Sequence, residues 1–272
     1  MKIKYVLCDL DGTLLNNRSD VSDEDLSTID QVRKAGVEFV VATGRSTSFC
    51  MEQLAKLGVL GDKKNIIVAS TGTLVVDGEL EPLYIQPLSE ENLMLAIDYT
   101  LKYQVPTYFI TIKKNYLLGD VLNEGIMHIF PNTVHVDKDE LSQIIKEDHT
   151  FVKLMTFFDK PDVLKAIEKE YLENTGNSVE VSSTTDRAVE FNTIQDNDDK
   201  GLSTFAEIVG CDPAEILAMG DSFTDLGMIK KAGVGACPAN AKPGVKEYAD
   251  YVSPFDNCHS AVSDILKKFV LE

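Results

Sequence analysis

The sequence predicts an α/β protein: a doubly wound parallel sheet interrupted by an inserted α+β domain. Three observations carry this. Short apolar runs alternate with helix-like segments near both ends of the chain. Polar clusters follow several of those runs. The middle reads differently, with longer segments richer in Tyr and Phe. At 272 residues the chain is long enough for two modest domains, each with its own core. The expected division places 1–81 and 195–272 in the parallel-sheet domain and 82–194 in the insert. Pro82, Pro87 and the run Asp196-Asn197-Asp198-Asp199 suit the two crossings.

The first element is a strand over 3–8, which runs directly into Asp9-Leu10-Asp11-Gly12-Thr13. Ser22 with Asp25 resembles a capping box, and Leu26, Ile29 and Val32 carry a helix face up to Gly36. A strand over 37–41 follows, then Thr43-Gly44-Arg45 and a helix through Met51, Leu54 and Leu57. The run 66–69 is a strand ending in Ser70-Thr71-Gly72. Within the insert, strand-like runs at 105–112, 151–158 and 179–181 alternate with helix-like stretches at 90–103, 140–146 and 162–173. After it come a strand over 216–219 closed by Gly220-Asp221, a short strand over 234–236, and a terminal helix over 262–270.

Hydrophobic residues make up 44% of the chain and charged residues 26%, ordinary for a soluble globular protein. No apolar stretch approaches the roughly 20 residues that span a bilayer. Asp9 and Asp11 interrupt the apolar run behind the basic start, which argues against a signal peptide. The five cysteines (Cys8, Cys50, Cys211, Cys237, Cys258) are scattered and form no CxxC pair. That points to reduced thiols and a cytoplasmic setting, and away from a disulfide framework or a zinc site. The net charge of −18 disfavours nucleic acid and anionic membranes as partners. It also repels phosphorylated metabolites unless the site concentrates positive charge.

Four polar clusters follow strands or open helices: Asp9/Asp11, Thr43-Gly44-Arg45, Asp199-Lys200-Gly201, and Gly220-Asp221 through Asp225. Open parallel sheets bind ligands outside the carboxyl ends of their strands, and three of the four clusters sit at such ends. Period-2 geometry aims Asp9 and Asp11 at one side. Two like charges that close imply a metal, an acid/base pair, or both. Phosphoryl transfer has a use for each cluster. Asp9 can attack phosphorus, and Asp11 can protonate the leaving alcohol and later take a proton from water. Asp221 can join Asp9 around a hard cation, for which an all-oxygen set suits Mg²⁺ better than Zn²⁺. Lys200 can neutralise phosphoryl oxygens and orient Asp9, while Thr43 and the Gly44 amide hydrogen-bond the same oxygens. Mg²⁺, Lys200, Arg45 and helix N-termini would answer the −18 charge locally.

Together these residues resemble the four motifs of the haloacid dehalogenase superfamily. Asp9-Leu10-Asp11-Gly12-Thr13-Leu14-Leu15 is similar to the first and Ala42-Thr43-Gly44-Arg45 to the second. Asp199-Lys200-Gly201 is similar to the third, and Gly220-Asp221 with Asp225 to the fourth. The motif order covers essentially the whole chain. The insert resembles the type IIB α/β cap of the Cof-like hydrolase branch, as does Asn240-Ala241 after Pro238. The resemblance implies a Rossmannoid core and Mg²⁺-dependent hydrolysis of a small phosphomonoester through an aspartyl-phosphate intermediate. The substrate class would be a sugar phosphate, nucleotide or similar metabolite. Asp9 becomes the nucleophile and Asp11 the acid/base, with Thr43 and Lys200 as catalytic groups. Thr43, Gly44, Arg45 and Lys200 become substrate-binding groups. The implied metal set is Asp9, the Asp11 carbonyl and Asp221, with Asp225 in support. A small phosphorylated metabolite is the expected partner, and the expected state is a monomer or weak homo-oligomer. A phosphomutase would use the same Asp9 chemistry. A non-catalytic phosphometabolite-binding protein would not need the nucleophile that the complete set Asp9, Asp11, Lys200 and Asp221 supplies.

Three positions depart from the branch pattern: Thr224 stands for a usual Asn, Thr71 stands for the Asn after Ser70, and 257–262 replaces an acidic-Gly-Val turn. Other candidates have plainer readings. Asp196, Asp198 and Asp199 lack the Gly and terminal Glu of a calcium loop and read as a solvated linker. His128, His135, His149 and His259 show no ligand spacing. Gly233-Val234-Gly235 lacks the third Gly of a dinucleotide fingerprint. Strand alternation points Cys8 away from the nucleophile, toward packing. Tyr103, Tyr108, Phe109, Phe157 and Phe158 read as core of the insert, and Arg187 and Tyr116 as groups placed to reach a substrate.

Overall fold

The computed structural model describes residues 2–120, 132–158, 161–176, 178–185, 188–194 and 198–272. His128, Arg187, Asp196 and Asn197 lie outside them. The chain forms two compact units. One comprises Met1–Gly44, Met51–Tyr84 and Asp196–Glu272; the other comprises Arg45–Cys50 and Ile85–Gln195.

Five strands come before residue 86: β1 (Tyr5–Cys8), β2 (Glu38–Ala42), β3 (Ile66–Ala69), β4 (Leu74–Asp77) and β5 (Pro82–Ile85). Six follow up to residue 193: β6 (Thr107–Ile110), β7 (Asn115–Leu118), β8 (Thr133–His135), β9 (Lys153–Phe157), β10 (Val179–Thr185) and β11 (Ala188–Thr193). Then follow β12 (Ile216–Met219), β13 (Val234–Cys237) and β14 (Tyr251–Val252).

Among the described residues the first unit carries an eight-stranded sheet in the order β14-β13-β12-β1-β2-β3-β4-β5. From β14 to β3 every pairing is parallel. Val6, Leu7 and Cys8 of β1 are all buried, the continuous apolar run expected of a strand covered on both faces. The chain builds outward from β1 to β2 and β3, then resumes on the opposite side with β12, β13 and β14. The strand order therefore reverses between β1 and β12, and open sheets of this kind bind ligands at that point. Cys8 pairs with Met219 across it, so the residues that follow, Asp9 and Gly220-Asp221, leave adjacent strand ends together.

The parallel pattern ends at β3. The Ser70–Gly72 turn reverses the chain into β4, which pairs antiparallel with β3, and β5 forms the sheet's edge. Neither β4 nor β5 was expected. Leu74-Val75-Val76 is a fully buried run, but it follows 66–69 so closely that the pair reads as one strand and its loop. The expected start of the insert at 82 coincides with the first residue of β5.

The Ser22–Asp25 cap is present: the Asp25 amide donates to Ser22 Oγ at 3.0 Å. Asp25 itself is buried. Its two oxygens accept from Ser22 Oγ (2.7 Å) and from the Ser263 amide (2.8 Å). One acid thus braces the Ser22 cap of the helix Asp23–Lys34 and ties it to the helix Ala261–Leu266. The latter ends four residues sooner than expected, and Lys267–Leu271 continues as a wider π turn.

The second unit carries a six-stranded sheet, β10-β11-β9-β6-β7-β8. All its pairings are antiparallel except β7 with β8. The helices Glu90–Tyr103, Lys138–Glu147 and Pro161–Thr175 pack around a core that includes Phe109, Phe151, Leu154, Tyr171 and Phe191. Tyr108 and Phe158 are buried as expected. Tyr116 sets its ring 5.9 Å from that of Phe151. The short segment Arg45–Cys50 belongs to this unit by its hydrogen bonds. Thr47 Oγ1 donates to the Ile112 carbonyl at 2.6 Å, and Ser48 Oγ donates to Asn115 Oδ1 at 3.0 Å. No helix among the described residues is long and apolar enough to cross a membrane.

Candidate active site

β1 stops at Cys8, and the chain curls at once. The amides of Leu14 and Leu15 return to the Leu10 carbonyl at 3.1 and 2.8 Å. Asp9 stays buried at 4% exposure, its amide held by the Met219 carbonyl at 2.9 Å. Asp11 is exposed. Period-2 geometry does not govern this pair, because the strand has ended before Asp11. The carboxylates that do gather are those of Asp9, Asp221 and Asp225, which bring oxygens within 4.8 Å of one another.

Lys200 sits among them from the loop before the helix Leu202–Val209. Its ammonium donates to Asp9 Oδ1 at 2.6 Å and to Asp225 Oδ1 at 2.5 Å, and the residue is 3% exposed. Burial opposes its charge, but Asp9 and Asp225 together outweigh burial and hold the proton more tightly than in free lysine. Asp9 is pushed up to about 7, chiefly by burial; Lys200 pulls against this, while Asp225 and Asp221 add to it. Burial, then the charge of Asp225, pushes Asp221 up to about 6. Three carboxylates thus face one ammonium in a low-dielectric setting. A bound divalent cation would relieve that imbalance.

The donor set fits a hard cation, since it consists of carboxylate oxygens. Asp225 is the most fully committed of the three acids. Its Oδ1 takes Lys200, and its Oδ2 accepts from the amides of Asp221 (3.0 Å) and Ser222 (2.8 Å) and from Ser222 Oγ (2.9 Å). It therefore suits a supporting place, with Asp9 and Asp221 left to face an ion. Thr13 Oγ1 donates to Asp221 Oδ1 at 3.4 Å. Gly12 has φ +80°, and a Cβ there would lie 2.6 Å from Asp221 Oδ2. Only glycine lets that carboxylate approach the turn.

Two asparagines lock the same turn. Asn240 Nδ2 donates to the Gly12 carbonyl at 2.7 Å, and Asn257 Nδ2 donates to that of Leu15 at 2.8 Å. The Asn257 amide donates to Asn240 Oδ1 at 2.9 Å, which joins the two. Motif reasoning missed Asn257. Its stretch was marked only as a departure from the branch pattern.

Thr43 is buried just beyond β2, next to β1. Its amide donates to the Val68 carbonyl at 2.9 Å, and its own carbonyl accepts from the Thr71 amide at 3.0 Å. Gly44 closes that stretch of the first unit. Arg45 opens the second, where its Nη1 donates to the Phe49 carbonyl at 3.4 Å. Thr224 is exposed, and its hydroxyl meets Ser222 Oγ at 2.7 Å. Cys8 is buried with its thiol pushed well up by burial, consistent with packing. Asp199 Oδ2 accepts from Lys231 Nζ (2.8 Å) and Ser203 Oγ (2.5 Å).

A family model for haloacid dehalogenase-like hydrolases matches residues 6–266. A Bacillus subtilis protein named 5-amino-6-(5-phospho-D-ribitylamino)uracil phosphatase YcsE is 26% identical over 269 residues, which cover 99% of this chain and 96% of that one. A haloacid dehalogenase-like hydrolase from Bacteroides thetaiotaomicron superposes with a TM-score of 0.86 at 23% identity, over 98% of this chain and 99% of that one. A sugar phosphatase of haloacid dehalogenase subclass IIB superposes with a TM-score of 0.76 at 20% identity, over 98% of each chain. These two likenesses show a shared fold. The family match runs from β1 into the helix Ala261–Leu266 and takes in all four polar clusters. The chain therefore belongs to the haloacid dehalogenase-like hydrolase family.

Proposed function

We propose that this hydrolase removes the phosphoryl group from a small phosphomonoester, with Mg²⁺, through an aspartyl phosphate on Asp9. One observation carries the reading: the Lys200 ammonium lies between Asp9 and Asp225, with Asp221 in the same cluster. A packing network does not need three acids gathered around one base at the strand-order reversal.

Lys200 occupies Asp9 Oδ1, so Oδ2 is the attacking atom. The new bond from Oδ2 to phosphorus forms as the ester P–O bond breaks, and Asp11 gives its proton to the departing alcohol oxygen. Asp11, now a carboxylate, takes a proton from a water that attacks the same phosphorus. The bond to Asp9 breaks, inorganic phosphate leaves, and both acids return to their starting forms. The exposure of Asp11 suits a group that exchanges protons with substrate and water. Lys200 counters the upward push of burial on Asp9 and offsets charge on the phosphoryl oxygens, which Thr43 and the Gly44 amide also bind. Arg45 is assigned to the substrate's negative charge. Asp9, the Asp11 carbonyl and Asp221 would hold Mg²⁺, which when bound stabilises charge developing on the phosphoryl oxygens. Asp225 secures Lys200 and the Asp221 backbone. The insert, residues 82–194, serves as the cap that sets substrate choice.

A phosphomonoester panel tests this with Mg²⁺, with EDTA, and with the Asp9→Asn variant. Phosphate release from at least one sugar phosphate or nucleotide is expected, abolished by EDTA and absent from the variant. Release that persists in Asp9→Asn would overturn the mechanism. Transfer to a second hydroxyl instead of water would mark a mutase.

A further inference from the structure

The turn between β3 and β4 holds three left-handed residues in a row: Ser70 (φ 49°), Thr71 (φ 57°) and Gly72 (φ 95°). Only glycine adopts this region freely, and a β-branched residue such as Thr is an outlier there. Such conformations persist where the surroundings over-determine them. The surroundings here are two pieces of the candidate site. Lys200 (φ 49°) and Gly201 (φ 80°) are left-handed as well, and the two turns meet backbone to backbone. A Cβ on Gly72 would lie 2.4 Å from the Gly201 nitrogen and 2.7 Å from the Lys200 carbonyl carbon. On the other side, the Thr71 amide donates to the Thr43 carbonyl at 3.0 Å. Thr71 Oγ1 stands 3.5 Å from where a Cβ on Gly44 would be.

We propose that Ser70–Gly72 is a positioning element: its backbone sets the left-handed Lys200–Gly201 turn from which one ammonium reaches both Asp9 and Asp225, and it ties Thr43 to the same frame. Its catalytic meaning rests on the hydrolase reading above; its geometry does not. Asn and Gly tolerate the left-handed region better than Thr, so Thr71→Asn keeps the turn, whereas Thr71→Pro, with φ held near about −65° and no amide to give the Thr43 carbonyl, breaks it. Gly72→Ala forces backbone against backbone.

The test reads Lys200 directly by NMR of ¹⁵N-lysine protein without metal. Lys200 is doubly paired and 3% exposed, so its ammonium should give a slowly exchanging signal, identified by its loss in Lys200→Met. Lys153 is equally buried and lies 2.7 Å from Glu190 in the second unit, which makes it the internal control. Gly72→Ala should displace or abolish the Lys200 signal and leave that of Lys153 in place. Thr71→Pro should speed Lys200 proton exchange at least tenfold, and Thr71→Asn should keep the slow signal. If Gly72→Ala unfolds the first unit, the backbone amide of Lys4, bonded to the Glu215 carbonyl in that unit, loses its place in the spectrum too, and the Thr71 pair decides. An unchanged Lys200 signal in Thr71→Pro overturns the proposal. With p-nitrophenyl phosphate and Mg²⁺, Thr71→Pro should lower kcat at least fivefold with KM within twofold. A wild-type protein without turnover would sink the hydrolase reading while the NMR result still judges this one.

Discussion

Replacing Asp9 by Asn should make the metal-free protein more stable at pH 8, although it removes the proposed nucleophile. Burial, with the charges of Asp225 and Asp221, raises the Asp9 carboxyl from 3.8 to about 7 despite Lys200. A carboxyl raised by folding opposes folding at high pH. Below about pH 4 both the folded and unfolded chains hold the proton, and no difference arises. Between about pH 4 and 7 the unfolded chain has released it while the folded chain keeps it, so stability falls as pH rises; above about 7 the full difference is reached. At 1.36 kcal/mol per tenfold change in proton affinity, this amounts to roughly 4 kcal/mol. Asn keeps an oxygen for the Lys200 ammonium as the protonated acid does, and the attraction of Lys200 for the charged acid is already contained in the value of about 7. A net stabilisation of about 4 kcal/mol at pH 8 is expected, or roughly 8–16 °C in Tm for a chain of this size. The offset should vanish near pH 4. Thermal unfolding of both proteins in EDTA from pH 4 to 8 measures it. A lower Tm for Asp9→Asn at pH 8, or an offset that ignores pH, would refute the reasoning. Adding Mg²⁺ should then raise the wild-type Tm more than that of the variant, since an ion that binds only the folded state stabilises it.

The other residues separate chemistry from architecture. Asp11→Asn should slow turnover by about 10²-fold or more and shift stability by less than about 0.5 kcal/mol, since Asp11 is exposed and outside the carboxylate cluster; steady-state rates and urea midpoints check both. Lys200→Met leaves Asp9 and Asp225 buried without their shared cation and should cost about 3–5 kcal/mol in metal-free protein, read from the same midpoints. Asn257→Ala removes the bond to the Leu15 carbonyl and should cost about 1 kcal/mol. It should also lower kcat by loosening the turn that carries Asp9 and Asp11; an unchanged kcat would make Asn257 purely architectural.

Much of the core sheet could be read from the chain, because β1, β3 and β12 are short apolar runs closed by polar residues. The Ser22–Asp25 cap was readable for the same local reason. What failed was non-local, apart from the curl that follows β1. The β4–β5 extension depends on three left-handed residues at 70–72, two of which are not glycine, so no turn signal marked it. The Asp9–Asp11 pair was read as if the strand continued, whereas the peptide bonds of Leu10 through Leu15 close a local curl. The convergence of Asp9, Lys200, Asp221 and Asp225 was anticipated by motif order. The Asn257–Leu15 bond spans 242 positions and leaves no periodic trace in the sequence.

The six residues Arg45–Cys50 make neither unit a continuous stretch of chain around a single insertion. The polypeptide passes between the units at four points: after Gly44, Cys50, Tyr84 and Gln195. Excising 85–195 as an autonomous piece would therefore leave part of that piece behind. The Ile112 carbonyl would lose the Thr47 hydroxyl, and the fully buried Asn115 amide would lose the Ser48 hydroxyl. Any grafting of this insert onto another hydrolase has to transplant 45–50 with it, or supply substitutes for those two donors.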